Sequence, residues 1–398
     1  MNIRAISARR LILIAALLLI LTATACAPVR QGTAWPDVSL DSQKNIVVAY
    51  ENRIDVVNPA THLRIPLLNE AGEIRREDGS SGDVLDWELA GSWPQGDSNV
   101  RSLFYTAPVF LNEDTFLITD YAGYLLRVDY PTARIERSVT KIEGNIVADA
   151  AVDAATNALY VPLSEHDVVA LDMENYDTRW VFETERGIWS QPLVIDGIVY
   201  FTAMDHHFYA VDGETGEQRW SLDLEGASAA SPLYDAENER FYVGTFASKI
   251  FEVSLAGEIL SQYETEDWVW NTPVLQEGIL YTADLSGYVY ALNTEGGLSE
   301  VWKAKATSAG IRPAPLVSGG YAVVASRKGQ VVWLNQADGS IVFEQDVDAE
   351  VLSDILLIEP GEPSTINEPL VIISTAKNSR LLVAFSLEDS NQRWVYSR

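Results

Sequence analysis

The chain of 398 residues carries 57 acidic side chains against 28 Lys and Arg, which gives a formal net charge of −29 at pH 7. A surface this acidic argues against nucleic-acid binding and against charge-driven docking on an anionic bilayer. With 47% hydrophobic residues and a single Cys, the chain can bury a core of its own and has no disulfide framework.

Residues 1–25 have the features of an export signal. Three Arg residues precede an unbroken apolar run of 11 residues at 11–21. This run is too short to cross a bilayer, because a spanning helix needs about 20 apolar residues. Small residues then lead to Cys26. A basic start, a short apolar core and small residues before a cleavage point are typical of a secretory signal peptide.

The surroundings of Cys26 resemble a bacterial lipobox, although Ala23 stands where Leu is usual. We expect lipidation at Cys26 and an anchor or linker over 26–34, since each buried CH₂ of an acyl chain contributes about 0.8 kcal/mol to membrane binding. The alternative is a plain signal peptide cut nearby, which leaves a free Cys. The expected location is the cell membrane or an outer membrane, on the side away from the cytoplasm.

From residue 35 onward, one pattern of short strands and turns recurs at an interval of about 40 residues. The first strand of the pattern opens on a Pro, and successive examples from Pro192 to Pro315 lie 40, 41 and 42 residues apart. The third strand follows a turn residue and ends on Asp or Asn, as in GYVYALN at 287–293. A fixed period of this length, built of short strands, predicts a β-propeller.

Each unit of the pattern reads as four antiparallel strands. In the unit at 190–222, a Pro-led strand is followed by the turn signal Asp196-Gly197, a β-branched and aromatic strand at 198–202, and two further strands. The middle strands are nearly continuous apolar runs, which is typical of strands covered on both faces. Eight units fit between residues 35 and 398, so we expect an all-β fold, an eight-bladed β-propeller of four-stranded antiparallel blades.

The period is irregular in the first and last units. We call the Pro that opens the first strand of a unit its landmark. The landmarks Pro36 and Pro108 lie 72 residues apart because a polar, Gly- and Ser-rich insertion occupies about 69–100. A long insertion in a repeat protein maps to one loop face and is often a binding face. The alternative is a surface excursion whose apolar half packs on the flank of the propeller. In the last unit, Asp354 is expected at the position of the landmark Pro.

Five units carry a large aromatic residue at one place in their outermost strand. A Trp can bury roughly 150–250 Å² of surface, so we expect these side chains to form wedges between adjacent blades. The residues are Trp180, Trp220, Trp302, Phe343 and Trp394.

A second set of large side chains stands three residues before the landmark Pro of its unit. Because the first strand of a propeller blade is innermost, this position should surround one mouth of the central channel. Aromatic residues and Arg are enriched where proteins bind partners, so a partner or ligand rim is expected; the alternative is that they cap the channel as packing. The residues are Tyr105, Trp189, Trp270 and Arg312.

The sequence offers little for catalysis or metal binding. Sequence neighbours such as His206 and His207 point to opposite faces of a strand, so they do not converge as metal ligands, and His62 and His166 stand apart from them. His206 occupies a place where other units carry the turn Gly. The chain has no phosphate-binding loop, nucleophile elbow or zinc-protease motif. We expect no catalytic residue, no metal and no enzyme activity.

The run YAVD at 209–212, the Thr215-Gly216 turn and Trp220 together resemble the pyrroloquinoline-quinone-type (PQQ-like) propeller repeat. The resemblance covers residues from about 35 to the end and is strongest in units three to seven. Quinone-dependent dehydrogenases share the eight-bladed fold and use an adjacent Cys pair and a bound calcium. Because this chain has one Cys, we expect no PQQ and no other cofactor.

Within the PQQ-like superfamily, a single eight-bladed propeller on a lipid anchor resembles the Bam-complex lipoprotein that assists outer-membrane protein assembly. This implies a non-catalytic scaffold that acts as a monomer within a complex of envelope proteins, with peptides docked on a blade edge or a loop-rich rim. Two alternatives stay open. One is a surface lipoprotein that binds or senses a small molecule or glycan at the channel mouth, and the other is a degenerate PQQ-type enzyme without activity.

Overall fold

The computed structural model describes residues 35–51, 53–64, 87–88, 103–129 and 134–398. The expected signal peptide at 1–25, Cys26 and the linker at 26–34 lie outside these residues, as does nearly all of the 69–100 insertion. The described chain forms eight four-stranded antiparallel sheets, each built from four consecutive strands. This confirms the predicted all-β, eight-bladed propeller.

Blades one to four contain the first sixteen strands. Blade one has β1 Asp37–Leu40, β2 Ile46–Tyr50, β3 Arg53–Val57 and β4 Trp87–Glu88; blade two has β5 Val109–Asn112, β6 Thr115–Thr119, β7 Tyr124–Asp129 and β8 Arg134–Lys141. Blade three has β9 Ala151–Asp153, β10 Ala158–Pro162, β11 Val168–Asp172 and β12 Thr178–Phe182; blade four has β13 Leu193–Ile195, β14 Ile198–Thr202, β15 His207–Asp212 and β16 Gln218–Asp223.

Blades five to eight contain the other sixteen strands. Blade five has β17 Leu233–Asp235, β18 Arg240–Thr245, β19 Lys249–Ser254 and β20 Ile259–Glu264; blade six has β21 Val274–Gln276, β22 Ile279–Ala283, β23 Tyr288–Asn293 and β24 Ser299–Lys305. Blade seven has β25 Leu316–Ser318, β26 Tyr321–Ala325, β27 Gln330–Asn335 and β28 Ile341–Asp346; blade eight has β29 Leu356–Ile358, β30 Leu370–Ser374, β31 Leu382–Ser386 and β32 Gln392–Tyr396.

Helical structure in the described residues is limited to one 3₁₀ turn, Asn378–Arg380. In the part of the chain that the structure describes, no helix has the length and apolar content needed to cross a membrane.

The core lies between neighbouring blades and is supplied mainly by their second and third strands. Every residue of β2, β6, β10 and β30 is buried, as expected for apolar runs covered on both faces. Outer strands such as β16 and β20 alternate instead between half-buried and exposed residues, because only one of their faces meets a neighbouring blade. The buried surface therefore holds the blades together as one ring.

The large aromatic residues of the outer strands contact the next blade along the chain. Trp180 is 9% exposed, and its indole Nε1 donates a hydrogen bond to the Gly213 carbonyl in blade four at 2.9 Å. Its ring lies against Gly216, where an added Cβ would come within 2.8 Å of the indole. Trp220, which is half-buried, makes the same contact with blade five by donating to the Leu255 carbonyl at 3.0 Å.

The same contact recurs later and closes the ring. Trp302 of blade six is 7% exposed and donates to the Gln336 carbonyl of blade seven at 2.8 Å. Trp394 of blade eight is equally buried and donates to the Pro59 carbonyl of blade one at 3.0 Å, across 335 positions of the chain. Each indole therefore donates one hydrogen bond to the next blade and packs one apolar face against it.

The structure corrects the register predicted for the last unit. First strands begin one residue after the landmark, as β25 does at Leu316 after Pro315, and β29 begins at Leu356. Ile355 therefore holds the landmark position and Asp354 precedes it, so the predicted placement of Asp354 was wrong by one residue. The physical reason is that the Asp354 carboxylate accepts a hydrogen bond from the Ala314 backbone of blade seven, a contact made only from the position before the landmark.

The short strand Trp87–Glu88 lies inside the segment predicted as an insertion. It pairs with β3 and completes blade one as its fourth strand. The inserted residues are therefore divided between the two sides of the last strand of blade one.

Candidate functional site

The axis of the propeller contains a cavity of about 770 Å³. Residues at or just before the first strand of all eight blades line it. Its lining is mixed, with apolar residues beside polar and charged side chains such as Gln191, Arg312 and Asp354. A cavity of this size can admit a small organic molecule.

All four residues expected at the channel mouth line this one cavity: Tyr105, Trp189, Trp270 and Arg312. The same position holds smaller apolar residues in three other blades, namely Val147, Ala229 and Leu352, which also line the cavity. The structure thus brings the four residues together, from blades two, four, six and seven. Their role in binding stays a prediction.

Trp270 is the centre of an aromatic cluster at the mouth. Its ring centre lies 5.9 Å from that of Trp189 in an edge-to-face arrangement and 5.1 Å from that of Phe246 in a stacked arrangement. Phe246 also stacks on Trp268 at 5.0 Å, and Trp268 is 48% exposed. The Trp189 indole Nε1 donates to the Ser164 carbonyl at 3.3 Å, which fixes the orientation of that ring.

A smaller aromatic group lies at blades one and two. The Tyr105 ring centre lies 4.6 Å from that of Trp35, edge-to-face, and 5.4 Å from that of Tyr121. The sequence-based prediction missed Trp35, Phe246, Trp268 and Tyr121 as members of the mouth. Trp35 precedes Pro36 directly, so the landmark alignment offered a signal; the other three lie in loops outside that alignment.

Arg312 is a half-buried cation on this aromatic surface. Its guanidinium carbon lies 3.7 Å from the centre of the Trp270 ring, a cation–π contact. Its Nε is buried and has no hydrogen-bond partner among the described residues. Burial, and after it the positive charge of Arg327, lower the pKa of Arg312 to about 10, against an opposing effect of Glu350. The side chain is therefore cationic at neutral pH and incompletely paired.

Side chains at the position before the landmark, which is Ala150 in blade three and Ile355 in blade eight, join the inner strands of neighbouring blades. The Asp149 carboxylate accepts a hydrogen bond from the Ala107 amide at 2.9 Å, and Asp354 accepts one from the Ala314 amide at 2.7 Å. The Ser231 hydroxyl accepts the equivalent hydrogen bond from the backbone N–H of Gln191 at 2.9 Å. These bonds hold the channel wall rigid at the level just inside the mouth.

Three carboxyl groups face the cavity, a feature that the sequence-based prediction did not identify. Solvent reaches Asp354 through the channel, but the surrounding walls desolvate the group and raise its pKa. Desolvation also raises the pKa of Asp149 to about 7, with a further contribution from the charge of Asp354. The pKa of Asp37 is raised well above its usual value by desolvation and then by the charge of Asp149. Desolvation thus disfavours the charged form of all three carboxyl groups.

The described residues contain no group of three or more His, Cys, Asp or Glu side chains arranged to hold a metal ion. His206 is exposed and has a positive φ of 77°, which is the backbone conformation of a turn. The neighbouring His207 contacts the Tyr209 ring at 5.7 Å. These positions do not bring the two imidazoles to one site.

The outer rim of the propeller differs between blades at the position just before the wedge position, which holds a Trp or Phe in blades three, four, six, seven and eight and Ser261 in blade five. In blades three, four and eight this position holds Arg179, Arg219 and Arg393, and each Arg pairs with an acidic side chain of its own blade. In blades five, six and seven it holds Leu260, Val301 and Val342, which are 51%, 49% and 40% exposed.

The residues at the preceding position extend this contrast in blades five and seven, whereas blade six has the exposed Glu300 there. Ile259 in blade five and Ile341 in blade seven are 41% and 43% exposed, whereas blade four has Gln218 there. We call Ile259, Leu260, Val301, Ile341 and Val342 the apolar rim. Val181 in blade three is also exposed but stands alone, as single exposed apolar residues commonly do.

Comparison with known proteins identifies relatives of this chain. A family profile described as outer membrane protein assembly factor BamB matches residues 149–298 and 285–398. Outer membrane protein assembly factor BamB of Escherichia coli (strain K12) is 30% identical over 142 residues, which cover 35% of this chain and 35% of that protein. The chain therefore matches about a third of the length of this curated relative.

Two further relatives are more distant. Quinoprotein alcohol dehydrogenase PedH of Pseudomonas putida is 29% identical over 100 residues, which cover 24% of this chain and 16% of that protein. The crystal structure of BamB from Moraxella catarrhalis superposes with a TM-score of 0.59 and 18% identity, covering 72% of this chain and 83% of that one. The structural likeness supports the fold alone.

The dehydrogenase match raises the question of a quinone cofactor. The expectation that this chain holds no PQQ and no other cofactor stays a prediction.

Proposed function

The chain belongs to the family described as outer membrane protein assembly factor BamB, and from this membership we propose that it is a lipid-anchored, non-catalytic scaffold for envelope protein assembly. Cys26 provides the anchor after removal of residues 1–25. The protein then acts as a monomer that binds other envelope proteins outside the cytoplasm.

The apolar rim is the observation that supports this role most directly. Five large aliphatic side chains are exposed on the outer strands of three consecutive blades. The matching positions of blades three, four and eight show that the fold accepts Arg there, so packing does not require the aliphatic residues. Exposed apolar groups on adjacent elements are characteristic of a protein-binding surface.

The geometry of the outer strands suggests how a partner docks. Among the described residues, the fourth strand of each blade pairs with the third strand alone, so its other edge is open to a further strand. An extended segment of the partner can hydrogen-bond to this edge while its apolar side chains cover the rim. The net charge of −29 favours a partner segment that also carries basic residues.

The proposal is tested by purification of the full, lipidated protein from detergent-solubilised membranes. We compare the wild type with the triple variant Leu260→Arg, Val301→Arg and Val342→Arg, which gives blades five to seven the residue found in the other three. A matched control places Arg at Thr178, Gln218 and Gln392, exposed positions on the outer strands of blades three, four and eight.

The expected result is that an envelope-assembly protein copurifies in stoichiometric amount with the wild type and the control and is lost with the triple variant. Unchanged urea unfolding of the triple variant excludes misfolding as the cause. A partner retained by all three proteins contradicts docking on the apolar rim, and a protein that recovers no envelope component contradicts the scaffold role.

A further inference from the structure

Arg312 lacks the carboxylate partner that several other Arg residues of the described chain have. In a chain with about twice as many acidic as basic residues, Arg179, Arg219 and Arg393 all contact carboxylates. Arg312 is more enclosed, yet its Nε has no partner in the described structure and the nearby charged side chains include a second cation, Arg327. Enclosure of an incompletely paired guanidinium costs free energy that an anion bound in the cavity would recover.

The site around Arg312 is pre-formed. Trp270 holds the guanidinium plane by the 3.7 Å contact, and Phe246 and Trp189 in turn hold Trp270. A guanidinium fixed in this way presents its N–H groups as a planar fork, which suits a carboxylate better than a point charge would. The rings of Trp189 and Tyr105 line the same cavity and contribute apolar surface for the body of a ligand, although Tyr105 is itself mostly buried.

Elsewhere on the cavity wall, two carboxyl groups keep an oxygen that can accept a hydrogen bond. Asp149 and Asp354 each use Oδ1 to accept a backbone N–H, and their Oδ2 atoms make no hydrogen bond with the described residues. A ligand that satisfies the whole cavity therefore has an anionic group at the mouth, a flat or ring-shaped body, and hydroxyl donors at the inner end. A planar aromatic carboxylate without hydroxyl groups would leave the two Asp oxygens without donors.

We propose that the channel mouth binds an acidic sugar, with the carboxylate of a hexuronate on Arg312, its ring against the aromatic wall and its hydroxyls donating to Asp149 and Asp354. The cavity of about 770 Å³ has room for one or two sugar rings. This binding is independent of the apolar rim and of the scaffold role, because it uses the inner strands and the channel.

The test is isothermal titration calorimetry, with tryptophan fluorescence as a second readout, on the purified full-length protein. Digalacturonate is compared with its dimethyl ester, which keeps both rings and removes the charges. We expect saturable binding of the acid and much weaker binding of the ester. No binding of the acid up to about 10 mM, or equal binding of acid and ester, overturns the proposal.

Variants locate the site. Arg312→Gln should weaken binding of digalacturonate by about tenfold or more, since a hydrogen bond to a charged group is lost. Arg312→Lys keeps the charge and should retain part of the affinity. Arg327→Gln is the matched control, because it removes the neighbouring cation, which is exposed and paired with Glu350; it should leave the affinity nearly unchanged.

Urea unfolding of each variant confirms that it is folded. Unchanged affinity in a folded Arg312→Gln protein overturns the proposal, and so does saturable binding of PQQ, a planar aromatic tricarboxylate, without binding of the sugar. If the sugar result fails while envelope partners still copurify, only the ligand proposal is lost.

Discussion

Two groups of blades differ in the residue beside the wedge position of the outer strand. In blades three, four and eight, that residue is an Arg paired with a carboxylate; in blades five, six and seven, it is Leu260, Val301 or Val342, which precede Ser261, Trp302 and Phe343. Both groups contain a Trp at the wedge position that joins one blade to the next. The residue before the wedge position faces solvent, so the fold permits either an Arg or an aliphatic residue there. Aliphatic residues at this position in three consecutive blades therefore indicate a role other than folding.

The largest expected effect comes from removing a wedge in each group. Trp180→Ala and Trp302→Ala should each lower the free energy of unfolding by about 3–5 kcal/mol, because both side chains are buried and donate to the next blade. Urea denaturation measures both losses. A far larger loss for Trp302 would mean that the apolar rim is part of the packing in blade six, and the contrast between the groups would then be structural.

Substitution of the glycine that packs against the wedge Trp should lower the free energy of unfolding by a smaller amount. Gly216 and Gly339 have φ near 75° and 71°, and an added Cβ would come within 2.8 Å of the Trp180 ring or 2.5 Å of the Trp302 ring. Substitution by Ala should cost about 1–2 kcal/mol for the left-handed backbone and about 1–3 kcal/mol more for displacing the indole.

Gly197→Ala is the matched control for the glycine variants. Its φ is 75° and nothing lies within 4 Å of the added Cβ, so it should show the backbone cost alone. Equal losses for Gly197 and Gly216 in the same urea experiment would argue against close contact between the indole and the turn.

The smallest effect is expected from making blade four resemble blade five. Arg219→Leu removes a surface ion pair and should change the free energy of unfolding by no more than about 1 kcal/mol. The backbone N–H of Thr215 and then Arg219 lower the pKa of Asp212 to about 2, so this variant should raise it part of the way towards 3.8.

The sign of the pH dependence follows from the lowered pKa of Asp212. The Asp212 carboxylate stabilises the folded state at pH values above about 3.8, its pKa in the unfolded chain. This contribution is lost as the pH falls towards 2. The difference in stability between wild type and Arg219→Leu should therefore be present at pH 7 and shrink below pH 4. NMR titration of the Asp212 carboxyl measures the pKa, and an unchanged value would show that Arg219 is not its partner.

The repeat made the fold readable from the sequence. The spacing from Pro192 to Pro315 and the apolar middle strands can be seen within each repeat, and together they are typical of a propeller. The number of blades and the order of strands could therefore be predicted from them. The same alignment brought Tyr105, Trp189, Trp270 and Arg312 to one position, and these residues do line one cavity.

Features that depend on contacts between blades could not be predicted from the repeat. Asp354 was misplaced by one residue because its role is a hydrogen bond to blade seven, which the landmark spacing does not encode. The carboxyl group of Asp37 enters the channel from a different position in its unit and joins Asp149 only in the closed ring. The replacement of Arg by Leu or Val beside the wedge was visible in the sequence, but its meaning required the exposure of Leu260 and its equivalents.

Photocrosslinking in living cells tests the docking claim most directly. A photoreactive amino acid replaces Leu260, Val301 or Val342 in one set of proteins and Arg179, Arg219 or Arg393 in the other. The account predicts a crosslink to the same envelope protein from each position of the first set and none from the second. Equal crosslinking from both sets, or none from either, would contradict it.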